Sequence, residues 1–384
     1  MRAPIRVLTS LALCAFSVAC SSSGRIVEAQ SGALAPRRTA PAVASKLSAP
    51  LRPEWRLGAP ITHNNLTVFP VLADESEARA DLITLDEGLR AGTVTITELG
   101  GDGRARSIDR RHMGDGAEVN RLALTNNSGK ALVLIAGEMI LGGRQDRIVG
   151  HDCIIESSNA PVPLDVFCVE HGRWSGGAAL GERAGGFIGN ARTGNSGSAS
   201  GAIDVMAAPM ALPSIREKAQ AKKDQEEVWT AVADAVTVNG ASTSTGTLRS
   251  VYQVKRVTAK LDRYERAFKE KLSAGAVVGV VAAIGGKIVS ADVFASHSLF
   301  QAYWPKMLKS YALEAVNAAP GAARQVSKDD AESYLARVRG DNAADSHQGV
   351  YRLAENQSKT AASFELEYTS KKSMLVHFNR VSKR

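Results

Sequence analysis

The stretch Val277-Val278-Gly279-Val280-Val281-Ala282-Ala283-Ile284-Gly285-Gly286-Lys287-Ile288-Val289-Ser290-Ala291-Asp292-Val293-Phe294 decides the fold class. Two runs rich in Val and Ile, separated by a Gly-Gly pair that can take positive φ, predict a β-hairpin with a tight turn. Helical periodicity lies on both sides. Before the hairpin, Val254, Val257, Leu261, Tyr264 and Phe268 recur at spacings of three and four, which makes one apolar stripe. After it, Ser296 is placed to cap a helix through Trp304, and Pro305 fits the first turn of the next, carrying Leu308, Tyr311 and Ala315. Further upstream, Pro213-Ser214-Ile215-Arg216-Glu217 has capping-box spacing and starts a helix towards Val236, with Val228, Val232 and Ala235 on one face.

The half before these helices reads as strands. Leu66 to Leu72 is one, with Pro70 of the kind found at edges. Thr84-Leu85-Asp86-Glu87 opens a short helix that Gly92 closes. Thr93 to Leu99, Val119 to Leu124, Ala131 to Ile135, Ile148 to Ile155 and Val162 to Cys168 continue the β pattern, and Asn126-Asn127-Ser128-Gly129 is a turn. Short strands close the chain at Val350–Leu353, Phe364–Tyr368 and Met374–Phe378. Strands, then helices, then a hairpin and more helices make an α+β domain over residues 55–384. Its β-rich N-terminal half packs with a helical and β-hairpin C-terminal half. Residues 175–208 are a Gly/Ala/Ser-rich loop, longer than a compact domain tolerates without reason, and read as a lid or a floppy insertion.

The N-terminus reads as an address. Arg2 and Arg6 precede the apolar run Val7 to Phe16, the length of a signal-peptide core and too short to span a bilayer. Small residues Ser17-Val18-Ala19 then precede Cys20, as in a bacterial lipobox with Ser17 in place of the usual Leu. The expectation is a signal peptide over 1–19, a lipidated Cys20 and a flexible Ser/Ala/Pro-rich tether over 20–54. The protein is then expected in the cell envelope, on the outer membrane if the host has one. Losing Arg2 and Arg6 lowers the formal charge from +8 to +6. That suits anionic surfaces or ligands, but no block of Lys and Arg interleaved with aromatics argues for nucleic acid.

Of four cysteines, Cys153 and Cys168 remain in the mature domain. They flank the turn-like Ser157-Ser158-Asn159-Ala160-Pro161, so a hairpin could bridge them in an oxidising compartment; two buried free thiols are the other reading. His151-x-Cys153 and Cys168-x-x-His171 match no known zinc spacing, and no metal or cofactor is expected.

Two charged clusters sit among the strands: Gly137-Glu138-Met139-Ile140-Leu141-Gly142-Gly143-Arg144-Gln145-Asp146-Arg147 and Cys168-Val169-Glu170-His171-Gly172-Arg173-Trp174. Charges so close to core strands must be paired or face a cleft. Glu138 and Glu170 could work as a catalytic acid/base pair, while Arg144, Gln145, Arg147 and Arg173 could hold an anion and Trp174 could stack on it. The bland alternative is a buried Glu–Arg network that fixes strand ends.

These two motifs, with Val228-Trp229, Leu299-Phe300 and Trp304-Pro305-Lys306-Met307-Leu308-Lys309-Ser310-Tyr311, resemble the ARPP-1 domain family. The resemblance covers most of residues 60–320. It implies that Glu138, Arg144, Gln145, Arg147, Glu170, Arg173 and Trp174 are shared polar positions, and it associates them with ADP-ribose and phosphate chemistry without fixing a reaction. Three functions stay open: an envelope-anchored binder of a small anionic, nucleotide- or sugar-like ligand; a hydrolase of glycosidic or phosphoester bonds; and a structural or protein-interaction lipoprotein.

Overall fold

The computed structural model describes residues 55–73, 81–98, 120–142, 145–172, 207–273, 276–318, 325–336, 341–347, 349–370 and 373–384. The chain enters through β1 (Trp55–Leu57), β2 (Ile61–His63), β3 (Leu66–Ala73) and β4 (Leu82–Thr84), then the helix α1 (Leu85–Arg90). Thr84 and Glu87 form the expected capping box of α1, and Gly92 follows it with a φ of 67°. Strands β5 (Val94–Glu98), β6 (Arg121–Asn126), β7 (Ala131–Leu134), β8 (Glu138–Ile140), β9 (Arg147–Val149), β10 (Cys153–Ile155), β11 (Ser158–Cys168) and β12 (Ala207–Met210) complete the β-rich half.

Helices follow: α2 (Pro213–Arg216), a π-helical turn (Glu217–Lys222), α3 (Gln225–Val238), α4 (Arg249–Gln253) and α5 (Lys255–Phe268). The helix expected to run unbroken from Pro213 is thus interrupted. Lys223 turns left-handed at φ 57°, and Asp224 restarts the helix by accepting the N–H groups of Glu226 and Glu227. The hairpin of β13 (Val277–Ile284) and β14 (Lys287–Phe294) forms as read, with Gly285 and Gly286 both at positive φ.

The 21-residue α6 (His297–Asn317) corrects the expectation of a break at Pro305, which lies inside it. An internal proline costs about 3 kcal/mol. Trp304, Met307, Leu308, Tyr311 and Leu313 are all buried, so packing around the helix outweighs that local cost. The chain ends with α7 (Lys328–Leu335), β15 (Asp341–His347), β16 (Tyr351–Gln357), β17 (Ala361–Tyr368) and β18 (Met374–Ser382).

Three sheets result. The largest runs β1-β3-β13-β14-β18-β17-β16-β15, with β2 also on β3; the others run β10-β7-β4 and β12-β8-β9-β11-β6-β5. The first strands therefore join the C-terminal hairpins, and the middle of the chain builds the two smaller sheets. Pro70 is not at an edge: it pairs with Val280, and on its other side its carbonyl accepts the Gly58 N–H where β1 passes to β2. The main core joins the smaller sheets, α3 to α6 and one face of the hairpin strands, whose residues alternate between two apolar clusters; the other cluster takes Val281, Ala291 and Val293 under Leu335 of α7. This is an α+β fold.

Candidate functional site

The two charged motifs meet. In the β9–β11 ladder Arg147 lies opposite Cys168, and the Val169 N–H donates to the Asp146 carbonyl. Glu170, fully buried, accepts the Asp146 N–H at 2.9 Å on one oxygen and the Thr245 hydroxyl at 2.5 Å on the other. The Asp146 carboxylate accepts the Gly142 N–H at 3.0 Å and the Thr247 hydroxyl at 2.6 Å. Gly172 donates to the Thr245 carbonyl at 2.7 Å, and a Cβ there would come within 2.9 Å of Thr245 backbone atoms. That close approach is a physical reason for glycine in His171-Gly172-Arg173. The Thr245 and Thr247 contribution was not foreseen; its only trace is the polar run Ser242-Thr243-Ser244-Thr245-Gly246-Thr247 between two helices.

Arg147 is 2% exposed and turned inward, its fork bidentate on Glu98 at 2.9 Å for each bond. Its Nη1 also reaches the carbonyl of Gln145, itself buried. These two residues therefore brace strand ends. Residues 144, 173 and 174 of the expected anion clamp, and the lipidation residue Cys20, lie outside the described residues.

Glu138 belongs to a different constellation. On β8 it is buried, accepts the Ile135 N–H at 2.8 Å and takes Lys306 Nζ at 2.5 Å. Lys306 also reaches Asp86 of α1 at 3.1 Å and lies 4.9 Å from the centre of the Tyr303 ring. Burial works against the Lys306 ammonium, but Glu138 and Asp86 outweigh it and hold its pKa above the usual range. Burial raises the Glu138 carboxyl, against the pull of Lys306. Glu138 and Glu170 share none of these partners, so the geometry does not pair them as two carboxylates on one substrate.

A third buried network was invisible in the motifs. On β14, Ser290 and Asp292 face the same way, and on β18 His377 and Asn379 do, with Asn379 opposite Asp292. Asp292 accepts Arg216 Nη2 at 2.7 Å, Asn379 Nδ2 and Ser290 Oγ at 2.9 Å each, and the Tyr311 hydroxyl. His377 lies between two acids, with Nδ1 2.6 Å from Asp152 and Nε2 3.4 Å from Asp292. Burial opposes the imidazolium, but these two carboxylates outweigh it and lift His377 to about 9. Burial likewise opposes charge on Asp292, yet Arg216 and His377 hold its pKa far below the usual carboxylate range. Asp152 also accepts the Ala136 N–H at 2.8 Å, next to Gly137-Glu138.

The bridge that Cys153 and Cys168 might have formed is corrected: both are free and buried. Ser157 to Pro161 does not close a hairpin between them. Instead β11 starts at Ser158 and pairs with β6 and β9, while β10 carries Cys153 to β7 in another sheet. Among the described residues no group of three or more His, Cys, Asp or Glu is arranged to hold a metal ion, and the His171 ring packs edge-on against Trp229 at 4.4 Å.

Residues 54–381 match the family of the ARG and Rhodanese-Phosphatase-superfamily-associated Protein domain, ARPP-1. The chain belongs to that family. No curated protein and no solved structure matches it.

Proposed function

We propose that this chain is an envelope-anchored lipoprotein whose ARPP-1 domain binds a small anionic, nucleotide- or sugar-like ligand. One observation carries the reading: the Glu170 carboxylate ties together the backbone positions from which both motif loops leave. It accepts the Asp146 N–H, and Asp146 in turn holds Gly142, the residue before Gly143-Arg144. It also holds Thr245, whose carbonyl holds Gly172, the residue before Arg173-Trp174. A buried brace that holds the residues just before two arginines in sequence is what a preorganised anion site requires. In this reading Arg144 and Arg173 hold the anion, Trp174 stacks on the ligand, and Arg147 and Glu170 brace the strands that lead to them.

A thermal shift series with ADP and a hexose phosphate tests the reading, because a ligand that binds only the folded state raises the melting temperature. The expected result is a shift that Arg144→Ala and Arg173→Ala each abolish. A shift retained in both removes the clamp, and no shift with either probe removes a nucleotide- or phosphosugar-like ligand. The anchor rests on Ser17-Val18-Ala19-Cys20; Cys20→Ser is expected to move the protein from the detergent phase to the aqueous phase.

Hydrolysis is the second reading, favoured by the raised carboxyl of Glu138 beside Lys306. It requires that Glu138→Gln abolish turnover of a glycosidic or phosphoester substrate while the fold persists.

A further inference from the structure

The helix α5 concentrates the chain's unbalanced charge. Over residues 255–271 seven cations stand against three acids, so this short segment carries half of the formal net charge of +8. Val257, Leu261, Tyr264 and Phe268 of α5 are buried, while Lys255, Arg256, Lys260, Arg263 and Arg266 are all exposed. At 3.6 residues per turn these five fall within about 140° of the helix circumference, a stripe about 16 Å long. The acids lie off it. Glu265, on the other flank, is engaged by Lys309 of α6 at 3.3 Å; Asp262 borders the stripe on that flank, and Glu270 follows the helix end. Among the described residues no carboxylate stands within ion-pair reach of the five cations. The arrangement works against the helix. Arg256, Lys260 and Arg263 follow at spacings of four and three, which makes them neighbours of like charge. Lys255 and Arg256 also occupy the first turn, where the helix dipole disfavours cations, and no acid there offsets them. A face that only needs to stay solvated intersperses both signs, whereas a stripe of one sign kept at a cost to the helix fits an anionic partner.

We propose that the α5 stripe docks the domain on an anionic lipid surface, its guanidinium and ammonium groups lying among headgroup phosphates. Exposed side chains standing out from a helix make a convex surface, which suits a plane of charges and not a small ligand. The aromatic residues of α5, Tyr264 and Phe268, are buried, so its exposed face offers no ring on which a nucleic-acid base could stack. The apolar side of the helix is spent on the core, so the contact is electrostatic and nothing inserts among the acyl chains. This surface is separate from the anion clamp proposed for the motif loops. It rests on the lipoprotein reading only for a membrane within reach. The stretch from Ser21 to Glu54 can span about 110 Å at full extension, more than a domain of this size is across, so an anchor at Cys20 lets this face turn to the bilayer.

Co-sedimentation of residues 21–384 with lipid vesicles tests it. The apolar clusters described all lie from Trp55 onwards, so this piece keeps the core, and without Cys20 it carries no acyl chain. The expected result is binding to phosphatidylcholine vesicles that are one third phosphatidylglycerol, at least tenfold tighter than to phosphatidylcholine alone and weaker as salt is raised. Lys260→Glu, Arg263→Glu and Arg266→Glu together are expected to abolish that preference with no loss of melting temperature. Lys130→Glu, Lys287→Glu and Lys359→Glu together, at exposed positions on other elements, change the net charge equally and are expected to keep it. Equal binding to the two vesicle types, a preference that survives the α5 substitutions, or one that the control loses as fully would overturn the proposal. So would a single-stranded oligonucleotide that binds more tightly than the vesicles through the same three residues. Failure here combined with ADP binding that depends on Arg144 would overturn the membrane surface and leave the motif site standing; the anchor has its own test in Cys20→Ser.

Discussion

Arg216 lies across Gly137. A Cβ at position 137 would come within 2.5 Å of the Arg216 Cγ and 2.9 Å of its Cδ, while the guanidinium of the same arginine grips Asp292 at 2.7 Å. The glycine that opens the first motif is therefore a packing residue for a buried salt bridge on other elements. Its φ of 87° adds a second reason, since that region is costly for any residue with a Cβ.

Gly137→Ala is accordingly expected to destabilise the fold by about 3 kcal/mol or more, combining backbone strain with a clash in a packed core. Gly129→Ala separates the two causes. Its φ of 74° is similar, but nothing lies within 4 Å of an added Cβ, so about 1 kcal/mol is expected there. Chemical denaturation of the two variants measures the difference. Equal losses would remove the Arg216 contact as the cause.

Asp292→Asn takes the charge from the centre of the third network and leaves Arg216 buried without its counter-ion. Removing one partner of a buried pair costs about 3–5 kcal/mol. Asp292 is fully buried and also serves Ser290, Asn379 and Tyr311, so the upper part of that range is expected from urea denaturation. The exposed pair Arg121–Asp165 is the control, where Asp165→Asn is expected to change stability by less than about 1 kcal/mol.

The same network sets a pH dependence. His377 has a folded pKa of about 9 against an ordinary value of 6.5, so its stabilisation is complete below pH 6.5 and is lost as pH rises through 9. Two and a half pKa steps correspond to roughly 3 kcal/mol. Asp292 is shifted the other way, so its contribution is present above the usual carboxylate range and lost as pH falls below it. Stability measured by urea denaturation is expected to be flat near pH 5–6 and to decline from pH 6.5 to 9. In His377→Gln the alkaline decline is expected to vanish. If it persists, another group carries it.

Much of this could be read from the chain, and the misses have definable causes. The Gly285-Gly286 hairpin, the Thr84 cap and the stripe from Val257 to Phe268 are local patterns, and they formed as read. Pro305 defies a local helix-breaking rule because it sits in a helix buried on nearly every side. The union of the two motifs was legible because β9 and β11 are neighbouring strands. The partners were not: Thr245, Glu98 and Lys306 reach Glu170, Arg147 and Glu138 from 49 to 168 residues away, Asp86 joins only through Lys306, and no spacing rule reports such contacts. The Asp152–His377–Asp292 line is legible only after the β14–β18 register is known.

The cysteines give a direct chemical check on the sheet assignment. Burial pushes up the pKa of both Cys153 and Cys168 thiols, so neither offers much thiolate near neutral pH. With Cys20 lipidated as proposed, no reaction with a thiol reagent is expected while the fold holds. Two thiols per chain are expected on denaturation without reductant. Thiols that appear only after reduction would mean that the strands carrying them can meet.

The brace centred on Glu170 makes the most specific demand. Glu170→Ala leaves the buried Asp146 N–H without its acceptor, and Thr245→Ala removes the other bond to the same carboxylate. Each is expected to cost about 1–3 kcal/mol, the penalty of an unsatisfied buried group. The two residues share one contact, so the double variant is expected to lose less than the sum, with a coupling energy of about 1–2 kcal/mol. Arg147→Ala with Glu98→Ala forms a parallel cycle on the bidentate pair, and coupling is expected there too. Zero coupling between Glu170 and Thr245 would mean that the 2.5 Å contact does not hold Gly172 in place, and the loops would then need another support.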